Sequence, residues 1–305
     1  MSCLSLGSWR TYERLAEPTG IAILRAAAEA GITFLDDARY DDETGQAPIP
    51  SGYSEVVFGN LFRAAGLRRD DMVVANKLWW EFWPEQSAAA ELDASLDRMG
   101  FDYVDLIYAG PPPAEMSVAD LVGAVTGLIE GGKARAWGTL NWPAGLLTLA
   151  AEAALTASLP QPCAAQLPYS LVRRSVVEDG EMTGALGVAG ASVVASFCLE
   201  GGVLTGKYLG DAAATGRASA TLGEERVRPA LAAAAELAGL AGRLGVQASA
   251  LALAFGLASP AVASVLFGAT SVEQLRANCA AADVLSRLTA AELDELRAIG
   301  RGQEP

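Results

Sequence analysis

Met72-Val-Val-Ala-Asn-Lys77 is an almost unbroken apolar run, and a stretch with helical spacing, Ala88–Arg98, follows it closely. A strand with one wet face alternates apolar and polar residues. A continuous run instead marks a strand covered on both faces, the signature of a parallel sheet flanked by helices. The same pairing recurs on either side. Gly31–Asp37 precedes the helical stretch Glu55–Ala65, Val104–Ala109 precedes Val118–Gly131, and Ala134–Leu140 precedes Ala144–Leu155. Further strands are predicted at Cys163–Pro168, Ala191–Phe197 and Ala261–Phe267, with another near Ser2–Ser8. Ile21–Ala30, Arg226–Leu244 and Ala248–Ala258 complete the main helices, and Ser271–Gln274 and Thr289–Glu292 have the spacing of capping boxes that open two more. Strand then helix, repeated about eight times without a break in composition, predicts a single (β/α)8 TIM barrel, an α/β fold. The first strand is not followed by the Gly-rich turn of a dinucleotide-binding sheet. Two longer connections, Asp41–Gly52 and Gly210–Gly223, read as insertions at the active-site face, either of them able to act as a lid.

Composition narrows the chemistry. The chain has 305 residues, a formal net charge of −14 and no histidine. An acidic surface without a basic block repels phosphate backbones, so nucleic acid is not an expected partner. Common zinc and non-haem iron sites lean on imidazole, and no metal site is expected. Cys3, Cys163, Cys198 and Cys279 show no paired spacing and read as small buried residues. The N-terminus lacks the pattern of a signal peptide, and no apolar run reaches the roughly twenty residues that span a bilayer. A cytoplasmic protein without a membrane partner, monomeric or a small homo-oligomer, is expected.

In such barrels the active site lies at the carboxyl ends of the strands. Read in order, those ends resemble the aldo-keto reductase superfamily. Leu6-Gly-Ser-Trp9 is similar to its opening segment, Gly31-Ile-Thr-Phe-Leu-Asp-Asp-Ala38 and Gly52-Tyr-Ser-Glu55 to its aspartate signature, and Val73-Val-Ala-Asn-Lys-Leu-Trp79 to its lysine strand. Ala136–Trp142 and Ala165–Tyr169 resemble its nicotinamide-binding strands, and Gly201–Tyr208 and Gly268–Asn278 its phosphate-binding segments. The resemblance runs over nearly the whole chain and implies hydride transfer with NADP(H) to a small-molecule substrate, through an Asp, Tyr, Lys, His tetrad.

Asp36 and Lys77 match the first and third of these. A buried ammonium beside a carboxylate keeps its charge, and that charge is expected to lower the pKa of a neighbouring phenol. The tyrosine position falls on Asp41, with Tyr40 one residue early, so the proton donor is Tyr40 or Asp41. Tyr53, after the insertion, reads instead as the start of a helix. The histidine position falls on Gly110, ahead of three prolines. General acid–base help is worth about 10²–10⁴-fold. A site without imidazole therefore favours an activated or bulky C=O, C=N or C=C substrate, for example an iminium whose charge Asp41 stabilises. Trp79, Trp80, Trp142 and the space at Gly110 are expected to form the substrate wall, with Phe82 and Trp83 at its rim.

For the cofactor, the resemblance implies Ser8 and Trp9 at the first strand end, Asn141 and Gln166 at the amide, and Ser196, Phe197 and Leu199 beside the ring. Lys207 and Arg217 are expected at the phosphates, and Gly268, Thr270, Gln274 and Asn278 along the adenosine segment, where helix N-terminal amides favour an anion. Two alternatives remain open: a non-redox lyase or isomerase on the same barrel, and a non-catalytic NADPH-binding partner protein.

Overall fold

The computed structural model describes residues 1–210 and 216–303. Eight parallel strands close into a barrel in sequence order, β1 Leu4–Gly7, β2 Phe34–Asp36, β3 Val73–Leu78, β4 Val104–Ala109, β5 Ala134–Leu140, β6 Ala164–Pro168, β7 Ser192–Ser196 and β8 Val262–Phe267, with β8 pairing back to β1. The helices α1 Glu17–Glu29, α2 Tyr53–Ala64, α3 Ala88–Met99, α4 Val118–Glu130 and α5 Ala144–Ala157 lie between the first six strands. After β6 come α6 Ser175–Glu178 and α7 Gly180–Ala189, then α8 Arg228–Leu244 and α9 Ala248–Leu257 before β8, and finally α10 Val272–Cys279, α11 Ala281–Arg287 and α12 Ala290–Ala298.

Val104–Ala109 and Ala134–Leu140 form as expected, the expected Met72–Lys77 strand shifts by one residue, and the remaining expected strands shorten where loops carry the chain into and out of the sheet. The α6–α7 segment carries no amphipathic signal. Gly180, Gly184 and Gly187 weaken its helical character, and tertiary packing of α7 against α5 supplies the order. The two capping sequences differ in outcome. Thr289 and Glu292 form the full reciprocal box. Ser271 caps the Gln274 amide, but the Gln274 side chain accepts from the Thr270 amide and hydroxyl instead. The cysteines also depart from expectation. Only Cys198 is buried, while Cys3 and Cys163 are exposed because each immediately precedes a strand.

Side chains divide between two cores. Phe34, Ala75, Leu106, Tyr108, Leu140, Ala164 and Val194 fill the barrel interior, and a larger apolar layer joins the outside of the sheet to the helices. Successive strand residues face opposite ways. The interior rows Phe34–Asp36, Ala75–Lys77–Trp79, Tyr108–Gly110 and Ala164–Gln166 therefore converge at the carboxyl mouth. One close approach sets how α2 and α3 meet. A Cβ at Gly59 would come within 2.0 Å of the Met99 carbonyl oxygen, so only glycine fits there. Among the described residues, no single helix is long and apolar enough to cross a membrane.

The connection after β2 is an ordered hairpin. Asp41 and Ser51 bridge antiparallel, the Asp42 amide donates to the Pro50 carbonyl (2.8 Å), and the Gly52 amide donates to the Tyr40 carbonyl (2.8 Å). The Asp42 carboxylate ties its tip by accepting from the Thr44 and Ala47 amides. Of the second expected insertion, residues 211–215 lie outside the described residues.

Candidate active site

The hairpin delivers a phenol to the lysine. Lys77 Nζ lies 2.6 Å from Asp36 Oδ2 and 3.2 Å from Tyr40 Oη, with both members of the ion pair 3% exposed. Gln166 Nε2 donates to the other Asp36 oxygen at 3.1 Å. Four side chains from β2, its following loop, β3 and β6 thus share one polar cluster at the barrel mouth. Ser54 Oγ donates to the Ala38 carbonyl, and Arg39 donates to Ser51 Oγ (2.7 Å) and pairs with Glu81, so the backbone on both sides of Tyr40 is pinned.

Burial opposes the Lys77 ammonium, but Asp36 and Tyr40 together outweigh it and hold the lysine pKa above its ordinary value. For Tyr40 burial is the largest effect and raises the phenol. Lys77 works against it, and Asp36 and Asp37 add to it, leaving the phenol pKa up rather than down. The lowering expected from the sequence is present but outweighed. The pair is therefore a fixed cation beside a neutral phenol, which can donate a proton and receive compensation from the charge at its oxygen.

The other sequence candidates are placed as follows. Asp41 has its side chain 73% exposed, 3.8 Å from the Arg39 guanidinium, and makes no contact with Lys77 in the described cluster. It does border a cavity of about 340 Å³ together with Arg39, Tyr40, Trp79 and Glu81. The Trp79 ring stands 6.2 Å from that of Tyr40. Trp80 does not join this wall. It is buried and donates from Nε1 to the Gly110 carbonyl at 3.1 Å, while the Gly110 amide donates to the Leu78 carbonyl at 2.9 Å. Trp142 packs edge-on against Trp137 in the layer outside the sheet, bordering a separate groove of about 480 Å³ with Asn141. The left-handed backbone at Asn141 (φ 55°) breaks the alternation after Leu140 and turns the Trp142 ring into the outer layer. Phe82 is exposed and Trp83 is half-buried.

Around β1, β7 and β8 the chain gathers cationic and aromatic side chains. Trp9 stacks obliquely on Phe197 at 5.6 Å, with the Arg10 and Arg217 guanidinium groups over its ring. Arg217 donates to Thr11 Oγ1 at 2.7 Å and to the Trp9 carbonyl, and a Cβ at Gly268 would come within 3.1 Å of its guanidinium. Ser196 and Leu199 flank Phe197, half-buried, and Lys207 lies over the ring of Tyr208. Asn278 is buried on α10, whose N-terminus Gln274 and Thr270 tie to the β8 end. Cationic side chains, glycine backbone and a helix N-terminus are a donor set suited to phosphate.

Sequence reasoning missed a carboxylate network beneath the site. Glu91 on α3 accepts from the Trp79 amide (2.7 Å) and the Trp80 amide (3.3 Å), fixing the end of β3. Glu55 is buried between Asn76 and Arg98. Asp37 is fully buried, accepts from Ser8 Oγ at one oxygen, and has no partner at the other. Burial first and Glu55 second push its pKa well above the usual 3.8, with Ser8, the Ala38 amide and Lys77 opposing. The doublet Asp36-Asp37 was the visible signal. A raised carboxylate pKa means that stability from this group is fully present below the unfolded value and is lost as pH rises through the folded one. Asp37→Asn is expected to melt about 2 °C or more above the parent at pH 8, with the gap closing towards pH 4. A calorimetric series in which the gap widens on acidification would contradict this account.

With this geometry in place, residues 3–301 match the aldo/keto reductase family. The chain belongs to the aldo/keto reductase family. It is also 32% identical over 317 aligned residues to a probable voltage-gated potassium channel subunit beta from Oryza sativa subsp. japonica, an alignment covering 98% of this chain and 93% of that protein. In this aldo/keto reductase family barrel the cluster of Asp36, Lys77 and Tyr40 lies at the carboxyl mouth, and Gly110 stands at the position to which the sequence resemblance assigns the family's imidazole.

Proposed function

We propose that this aldo/keto reductase is an NADP(H)-dependent oxidoreductase acting on an activated or bulky C=O, C=N or C=C substrate. The observation that carries the reading is the placement of Tyr40 Oη 3.2 Å from the ammonium of Lys77, which Asp36 holds charged. The donor set around Arg217, Lys207, Gly268 and the start of α10 fits a dinucleotide phosphate, and Asn141 and Gln166 offer amides at the strand ends. When bound, the reduced nicotinamide supplies a hydride, two electrons and a proton's mass, to the electrophilic carbon. Tyr40 transfers its phenolic proton to the substrate oxygen as negative charge develops there. Lys77 stabilises the phenolate left behind, and Asp36 keeps Lys77 protonated through the exchange. Gln166 holds the remaining Asp36 oxygen. Asp41, at the edge of the same cavity, supplies a carboxylate for a cationic C=N substrate.

The similarity to the rice channel subunit favours a second reading, a cofactor-binding subunit that acts through a protein partner. Quenching of tryptophan fluorescence by NADPH, followed by NADPH oxidation with a panel of aldehydes, quinones and preformed iminium ions, separates the two. Saturable binding with turnover supports the oxidoreductase. Binding without turnover on any of the panel supports the subunit, and absence of binding sinks both.

A further inference from the structure

We propose that the indole N–H of Trp79 is the second hydrogen-bond donor to the substrate oxygen, in place of the side chain that Gly110 lacks. This inference rests on the oxidoreductase reading above and names the group that completes its site. Trp79 immediately follows β3, two residues beyond Lys77, and packs against the barrel-interior cluster, and its ring and that of Tyr40 border one cavity. Its Nε1 is buried and has no hydrogen-bond partner among the described residues. Buried donors are almost always paired, and this one belongs to a ring that borders the Tyr40 cavity, where an acceptor arrives with the substrate. Gly110 itself adjoins the end of β3: a Cβ there would meet the Leu78 carbonyl at 3.1 Å, Trp80 Cδ1 at 3.7 Å and Trp79 Cα at 3.9 Å.

Two other orphaned groups fit less well. The Tyr108 hydroxyl belongs to the interior layer below Gly110, and Trp142 Nε1 belongs to the layer outside the sheet. The position of Trp79 is also enforced: both carboxylate oxygens of Glu91 hold the amides at the end of β3. In the reaction, hydride adds to the carbonyl carbon, the carbonyl π pair moves to oxygen, and the Tyr40 proton closes the O–H bond. Trp79 transfers no proton. It donates one hydrogen bond to the oxygen as charge builds, preorganised in a dry wall.

The test pairs binding with kinetics. Benzoate, a carboxylate that mimics the developing oxyanion, is titrated into the full chain with and without NADP⁺ while the Trp79 indole N–H resonance is followed. The expected result is a downfield shift on saturation and a roughly 10-fold weaker benzoate Kd for Trp79→Phe. An unmoved resonance, an unchanged Kd, or no benzoate binding overturns the proposal. The resonance in the parent chain gives this answer even if the variant does not fold. In turnover, Trp79→Phe is expected to lower kcat for aldehydes about 10²-fold. A preformed iminium, which develops no oxyanion, should change by less than about 3-fold under the same logic. Equal losses on both substrates mean that the ring is only a wall, and overturn the proposal. A benzoate-shifted Trp79 in a chain that reduces nothing sinks the oxidoreductase reading and leaves the donor assignment standing.

Discussion

Lys77→Met is expected to reduce kcat for NADPH-dependent reduction by about 10³-fold or more, the upper half of what a general acid and its activating charge contribute. Methionine keeps much of the length of the side chain and removes the ammonium. Tyr40 then loses the one neighbour that opposes the effects of burial and of Asp36 and Asp37 on its proton. The phenol becomes a still weaker acid, and the phenolate that forms after transfer has nothing to stabilise it. Stability should fall as well. Asp36 is left as a 3% exposed carboxylate with Gln166 as its remaining donor, and breaking a buried pair from one side costs about 3–5 kcal/mol. The double variant Asp36→Asn/Lys77→Met separates the two effects, because the amide carries no charge to strand. Urea titration should recover most of the lost stability in the double variant while kcat remains at the level of the single one. Recovery of both together would assign Lys77 a purely structural role.

Tyr40→Phe comes next in size, with an expected loss of about 10²–10⁴-fold in kcat/KM on aldehydes. Its folding cost should be small, since the hairpin that carries residue 40 is held by its own backbone and by Arg39, Ser51 and Ser54. Asp41→Asn is expected to stay within about 3-fold on neutral carbonyls, as for a surface position away from the reacting atoms. Because the phenol pKa is raised, the proton needed for reduction is present throughout the neutral range, and the rate should not decline until above the ordinary phenol value of about 10. A basic limb near neutrality, or an Asp41→Asn loss equal to that of Tyr40→Phe, would transfer the acid role to another group.

The barrel was legible because its strands are short continuous apolar runs punctuated by helices, a pattern that depends on local sequence. Asp36 and Lys77 were legible through the family resemblance of the strand ends, and each lies at or next to the last residue of its strand. Tyr40 was not decidable from spacing. Its approach to Lys77 depends on a hairpin whose closing contacts join Tyr40 to Gly52 and Asp41 to Ser51. The Glu91 and Glu55 contacts were hidden because a carboxylate on a helix gives no hint of which strand it will cap. Trp142 and Trp80, expected at the substrate wall, pack in the outer layer because both follow strand ends, where the inward–outward alternation of a strand no longer applies. Trp80 even adopts a left-handed backbone, with φ of 62°.

The bond from Trp80 to the Gly110 carbonyl also bears on how this site can change over time. A side chain restored at position 110 meets the Leu78 carbonyl at 3.1 Å, so the β3 backbone must give by a few tenths of an ångström just where the Trp80 indole is latched. Introducing an imidazole at this position therefore takes coordinated changes on two strands, and each change alone loosens a fitted joint. Position 110 is therefore mechanically coupled to the end of β3: a side chain enters there only together with an adjustment at Leu78 and Trp80.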